Sequence, residues 1–280
     1  ANANAKVMTN DPSNMHPSTG IHYIDKLLEN GAGSICDIVA IHPYRNQPES
    51  PDLDADIVTL MSMLSDNSFT GDVWFTEGVY YNNYILPNLG LNTHVGCSTD
   101  NFRAGDFSYD MGWGERMSAA YTARSFLAAM KYGDRVKLFV DWGMATNSML
   151  DYDLTATSAT FAVNTLVRTL GAATYEGQPD IATGVRCYVF TDTQGNRVAA
   201  VWAYGFETDS GNKNAGYLDA SSLHAVYSTS DMELIDFMGQ TSEVADSIKL
   251  YPWPTFIRVD TGSASTLISA MDQTTYSGSE

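Results

Sequence analysis

Three short apolar runs set the terms for this chain: Ile35-Cys-Asp-Ile-Val-Ala-Ile-His42, Val73-Trp-Phe-Thr76 and Lys137-Leu-Phe-Val-Asp-Trp142. Each is close to unbroken and passes straight into polar or aromatic residues. A strand that reads apolar on both faces is buried on both, as in a parallel sheet covered by helices. The stretches between the runs supply such helices. Ile21, Ile24, Leu27 and Leu28 fall at helical spacing behind a cap at Ser18 or Thr19, and Gly31 and Gly33 stop that pattern. Ile57, Leu60, Met61 and Leu64 repeat it between Asp52 and Leu64, and Met117, Tyr121, Leu127 and Met130 repeat it between Glu115 and Tyr132. A fourth helix is expected over Ala159–Leu170. With Lys6–Met8 as a first short strand, the chain reads as about four β-α units, which implies right-handed crossovers and a parallel sheet. Four such units make half of an eightfold barrel.

After Gly171 the pattern changes. Val185–Phe190, Arg197–Ala203, Leu223–Tyr227, Glu233–Phe237, Ser247–Tyr251 and Phe256–Val259 are short and rich in β-branched and aromatic residues. Turn signals such as Asp192-Thr-Gln-Gly-Asn196 separate them, as in an antiparallel sandwich. The expected fold is therefore α/β plus all-β: the C-terminal half of a (β/α)8 TIM barrel over residues 1–174, with an antiparallel β-sandwich over 175–280.

Composition limits the partners. The 280 residues carry 15 Lys and Arg against 33 Asp and Glu, a net charge of -18, which argues against nucleic acid or an anionic membrane. No apolar run is long enough to span a bilayer. The 16 Tyr and 5 Trp suit a sugar-binding surface, and they suit a β-rich core equally well. Cys36, Cys97 and Cys187 are far apart and lack metal-ligand spacing, as do His16, His22, His94 and His224. Gly31-Ala-Gly33 and Gly112-Trp-Gly114 are too short for a phosphate loop. No cofactor is expected.

The most suggestive acid is Glu77. It closes the second apolar run and is followed by Gly78, by Tyr80, Tyr81 and Tyr84, and by a loop of about thirty residues, longer than a simple connection needs. In an α/β barrel, catalytic groups sit at the C-terminal tips of the strands. The plain alternative is a solvated carboxylate at a strand end. His42 and Tyr44 alternate along the end of the preceding strand, so both could point to the barrel mouth, or they could simply pack its rim. Trp142 could stack on a sugar face or close the barrel top.

The order of these pieces resembles the C-terminal part of a clan A retaining glycoside hydrolase, the group of xylosidases, iduronidases, arabinofuranosidases and related endo-glycanases. Asp37-Ile-Val-Ala-Ile-His-Pro-Tyr44 is similar to the sixth barrel strand with its terminal His-x-Tyr. Val73-Trp-Phe-Thr-Glu-Gly78 resembles the seventh strand with its nucleophile, and Phe139-Val-Asp-Trp142 resembles the eighth. Leu250-Tyr-Pro-Trp-Pro-Thr-Phe-Ile257 lies in what looks like the small β-domain after the barrel. The resemblance implies a secreted or cell-surface glycosidase acting on a polysaccharide or oligosaccharide. Glu77 would be its nucleophile, and His42, Tyr44, Tyr80 and Trp142 would contact substrate. One departure stands out. In that group the acid/base is a Glu following an Asn at the tip of the fourth strand, and this sequence contains no Asn-Glu pair. The acid/base is therefore expected from an N-terminal half-barrel segment or chain. The rival expectation is a non-catalytic carbohydrate-binding or cell-surface structural protein on a decayed barrel.

Overall fold

The computed structural model of the chain describes residues 5–12, 14–43, 48–49, 52–77, 111–139, 149–150, 156–204 and 216–278, with the side chains of 111–116 and 118 left aside. The chain is a mixed α/β protein with several sheets. It divides into two compact units, one drawn from Ala1–Tyr80 and Ser125–Trp142, the other from Tyr81–Arg124 and Gly143–Glu280.

The first unit is built on a parallel sheet of β1 (Ile38–Ile41), β2 (Asp72–Phe75) and β3 (Val136–Leu138), in that order. Ile38 to Ile41 pair with Asp72 to Phe75, and Val73 to Phe75 pair with Val136 to Leu138. Residues 7–9 run parallel to the free side of β1. Met8 bridges Ile38, and the Thr9 N–H donates to the Ile38 carbonyl at 3.0 Å. The expected Lys6–Met8 strand is thus a single bridge, and the alignment continues to Pro12, whose carbonyl accepts from the His42 N–H at 3.0 Å.

Helices cover one face of this sheet. A π turn at Pro17–Ile21 leads into α1 (His22–Glu29), and Gly31 leaves α1 at φ 94°, a conformation that costs a glycine little. The start of α2 (Leu53–Asp66) is set by Asp52, whose carboxylate accepts from the Asp54 N–H. Ile24 and Leu28 of α1, with Leu53, Ile57, Leu60 and Leu64 of α2, pack on Val39, Ile41, Val73, Phe75 and Val136. Ala128 and Ala129 of α3 (Met111–Met130) join the same core. Because side chains alternate along a strand, Ala40, Trp74 and Thr76 turn to the opposite face. Gly71 opens β2 so close to the preceding strand that a Cβ there would lie 2.2 Å from the Asp37 carbonyl.

The second unit contains α4 (Ser158–Thr169) and two antiparallel sheets. The six-stranded sheet runs β4 (Thr174–Gly177), β5 (Val185–Thr191), β6 (Arg197–Ala203), β11 (Thr255–Val259), β8 (Met232–Ile235) and β9 (Thr241–Ser242). The three-stranded sheet runs β10 (Ser247–Lys249), β7 (Tyr217–Asp219) and β12 (Thr275–Ser277). The two sheets and α6 (Ala264–Asp272) share one core. Val185, Cys187, Val189, Ala199 and Val201 meet Leu218, Ile248, Leu267 and Met271 there. The other face of β5 and β6 is also dry: Tyr188, Phe190 and Trp202 are buried, with Tyr188 edge-on to the other two. Arg124 is 1% exposed, donates to the Pro252 carbonyl and lies over the Tyr121 ring.

One expectation is corrected. Leu223–Tyr227 is not a strand: Ser221–His224 is a helical turn, α5, continued by turns through Tyr227. Leu223 and Tyr227 stand four residues apart and both are buried, while Val226 is half exposed, so the apolar spacing here is helical. The structure also contains β4, β7, β9, β12 and α6, which were not expected from the sequence. Among the described residues, no helix is long and apolar enough to cross a membrane.

Candidate functional site

In a parallel sheet the strands all end on one side, and β1 and β2 place their tips next to each other. His42 follows Ile41 directly, and Thr76 and Glu77 follow Phe75. Continued past the strand ends, these residues bring an imidazole, a hydroxyl and a carboxylate together. His42 Nδ1 lies 3.4 Å from Glu77 Oε2, with the His42 side chain 12% exposed and that of Glu77 54% exposed. The imidazole is held and the carboxylate is open to solvent.

The edge segment beside β1 supplies a second carboxylate. Asp11 Oδ2 lies 2.9 Å from His42 Nε2 and accepts a second hydrogen bond, also 2.9 Å, from the Thr76 hydroxyl. The hydrogen bond from His42 holds the Asp11 carboxyl below the usual aspartate range, opposed by partial burial and aided by the Thr76 hydroxyl. Asp11 is therefore ionised at neutral pH. The result is a line from Asp11 through the His42 ring to Glu77, contributed by three separate stretches of sequence.

Of the residues singled out from the sequence, the structure brings His42 and Glu77 together. Tyr44, Tyr80 and Trp142 lie outside the described residues. Asp11 and Thr76 were not picked out as site residues. Asp11 sits in Thr-Asn-Asp-Pro just after the first strand candidate, so an acid at the tip of a parallel strand was the available signal. Asp37, just before β1, accepts from the Val7 N–H at 2.8 Å, and Lys6 Nζ approaches it at 3.8 Å. Cys36 and Cys187 are free thiols.

The same sheet carries an aromatic pair. Trp74 and Phe139 meet with ring centroids 5.0 Å apart, and the Lys137 ammonium stands 5.9 Å from the Trp74 ring while pairing with Asp72 at 3.7 Å. Phe139 is 40% exposed.

No protein-family model and no curated protein sequence matches the chain. Solved structures do. A family 39 glycoside hydrolase from Bacteroides cellulosilyticus WH2 is similar with a TM-score of 0.59 at 16% identity, covering 87% of this chain and 48% of that one. A family 30 subfamily 8 xylanase, Xyn30A, from Clostridium acetobutylicum matches with a TM-score of 0.52 at 10% identity, covering 91% and 56%. A family 51 arabinofuranosidase from Xanthomonas axonopodis pv. citri matches with a TM-score of 0.52 at 9% identity, covering 93% and 59%. The likeness is one of fold, and the resemblance to clan A glycoside hydrolases read from the sequence is met at that level. The chain spans about half the length of these structures.

Proposed function

We propose that this chain belongs to a secreted or cell-surface retaining glycoside hydrolase acting on a polysaccharide or oligosaccharide. Residues 1–174 form strands five to eight of a (β/α)8 barrel, and residues 175–280 form an antiparallel β-sandwich. The observation that carries the reading is the Glu77 carboxylate, presented at a parallel strand tip 3.4 Å from His42 Nδ1 and open to solvent.

In the first step an oxygen of Glu77 attacks the anomeric carbon and the bond to the leaving oxygen breaks. The leaving oxygen takes a proton from an acid/base carboxyl about 5–5.5 Å from Glu77. In the second step that carboxylate deprotonates a water, the water attacks the same carbon, and Glu77 departs. The acid/base comes from an N-terminal half outside residues 1–280; the missing Asn-Glu pair and the half-length match to the solved structures support this. His42, Tyr44, Tyr80 and Trp142 contact the sugar around the nucleophile.

The test is a 2-deoxy-2-fluoro glycoside with a good leaving group, offered to the full-length protein and followed by peptide mapping. Label on Glu77 is expected. Turnover with the label on another carboxylate overturns the assignment. Sugar binding with no turnover favours a carbohydrate-binding protein instead.

A further inference from the structure

The link from Asp11 to Glu77 has a chemical consequence beyond placing a nucleophile. An imidazole has two nitrogens, and the hydrogen bond at one fixes what the other can do. The ionised Asp11 carboxylate can only accept, so the nitrogen facing it, Nε2, carries a hydrogen. Nδ1 is then the nitrogen that faces Glu77 Oε2, at 3.4 Å. With Nε2 tied to Asp11, the ring cannot flip without breaking that bond, so this nitrogen edge is held toward the carboxylate. Thr76 orients Asp11 for this by donating to the same oxygen that faces the ring. The charged groups that the described elements turn toward His42 are Asp11, from the edge segment, and Glu77, from the end of β2.

We infer that Asp11 is a positioning residue for Glu77, acting through His42: it fixes the tautomer and the rotation of the ring, and so the nitrogen edge that the nucleophile faces. This rests on the glycosidase reading for its catalytic half. The link between Asp11 and the ring does not depend on that reading.

The experiment has two readouts on the full-length protein. The first is the ¹⁵N signals of the His42 ring, which report the hydrogen on each nitrogen without any substrate. Asp11→Ala should abolish the preference for hydrogen at Nε2, while Asp11→Glu should keep it. The second is kcat/KM on a 2,4-dinitrophenyl glycoside, whose leaving group departs without a proton, so that the rate follows the attack by the nucleophile. In Asp11→Ala it should fall by about tenfold or more, as expected when a reacting group is misplaced. Thr76→Val should lower it by less, and Asp11→Glu should largely restore it.

A ring signal unchanged in Asp11→Ala overturns the link itself. An altered ring with kcat/KM unchanged in Asp11→Ala overturns the positioning role. If the wild-type protein does not turn over any such glycoside, the glycosidase reading fails and takes the catalytic half of the inference with it. The ring signals then still decide whether Asp11 fixes His42.

Discussion

Lys131 Nζ reaches Asp54 Oδ2 at 2.9 Å, with the two side chains 13% and 9% exposed. The pair joins the residue after α3 to the first turn of α2, where a carboxylate also complements the positive end of the helix. Removing one member of a buried pair leaves the other charge in a poor medium. Lys131→Met should therefore lower stability by about 3 kcal/mol. The double variant Asp54→Leu/Lys131→Met should recover much of that loss, because no charge is then left behind. Urea unfolding of wild type, Lys131→Met, Asp54→Leu and the double variant measures both effects. A single variant as stable as wild type would show that the pair contributes nothing.

Glu77→Gln should leave the far-UV circular dichroism and the unfolding midpoint close to wild type, because the side chain is more than half exposed. Turnover should fall by about 10⁴-fold or more, as expected for loss of a nucleophile. Activity within tenfold of wild type rules out Glu77 as the attacking group.

The depressed Asp11 carboxyl has a stability signature whose sign can be worked out. Its first cause is the hydrogen bond from His42. A carboxyl held below its ordinary value in the folded state contributes stability above that value and loses it as pH falls through the depressed one. Wild type should therefore be more stable than Asp11→Asn near pH 6, and the gap should close as pH falls below the usual aspartate range. Chemical denaturation at a series of pH values checks this. A gap that widens toward acid contradicts the sign.

Cys187 offers a chemical readout of the second core. Burial pushes its thiol far above the ordinary range, because a thiolate there would lose its hydration. It should resist iodoacetamide in the folded protein and react only after unfolding. Cys36, partly exposed, should react under native conditions. Peptide mapping after a timed pulse separates the two, and rapid native labelling of Cys187 would mean that the core opens readily.

Much of the first unit was legible because its strands are apolar on both faces and its helices keep an unbroken 3.6-residue pattern. Ile38–Ile41 and Leu53–Asp66 fall within a few residues of where periodicity alone put them. Glu77 was visible because it ends such a run. Asp11 was not, since its meaning comes from a ring 31 residues away and nothing in Thr-Asn-Asp-Pro announces that contact. Helix α6 was hidden by a start rich in Ser and Thr. Its cap is nonetheless present in Ser263, whose hydroxyl accepts from the Thr266 N–H, and Leu267, Ala270 and Met271 follow at helical spacing. The turn at Leu223–Tyr227 misled because five residues are too few to tell a period of two from one of 3.6.

Strand β5 shows how bulk can share a task that polarity usually carries alone. Sliding a strand by one residue exchanges its faces, and in most sheets the error is rejected because polar groups would be buried. Here Val185, Cys187 and Val189 on one side and Tyr188 and Phe190 on the other are all out of water, and the strand's one charged side chain, Arg186, is itself buried on the ring side, over Tyr204. Charge therefore marks one position of the strand, and bulk marks the rest. A slipped strand would force two rings into a space sized for a thiol and small branched chains, and would leave voids where the rings had been; a close-packed interior tolerates neither. The sheet is proofread by volume. Substitutions that even out the sizes across β5 should therefore blur its pairing before they weaken its hydrophobicity.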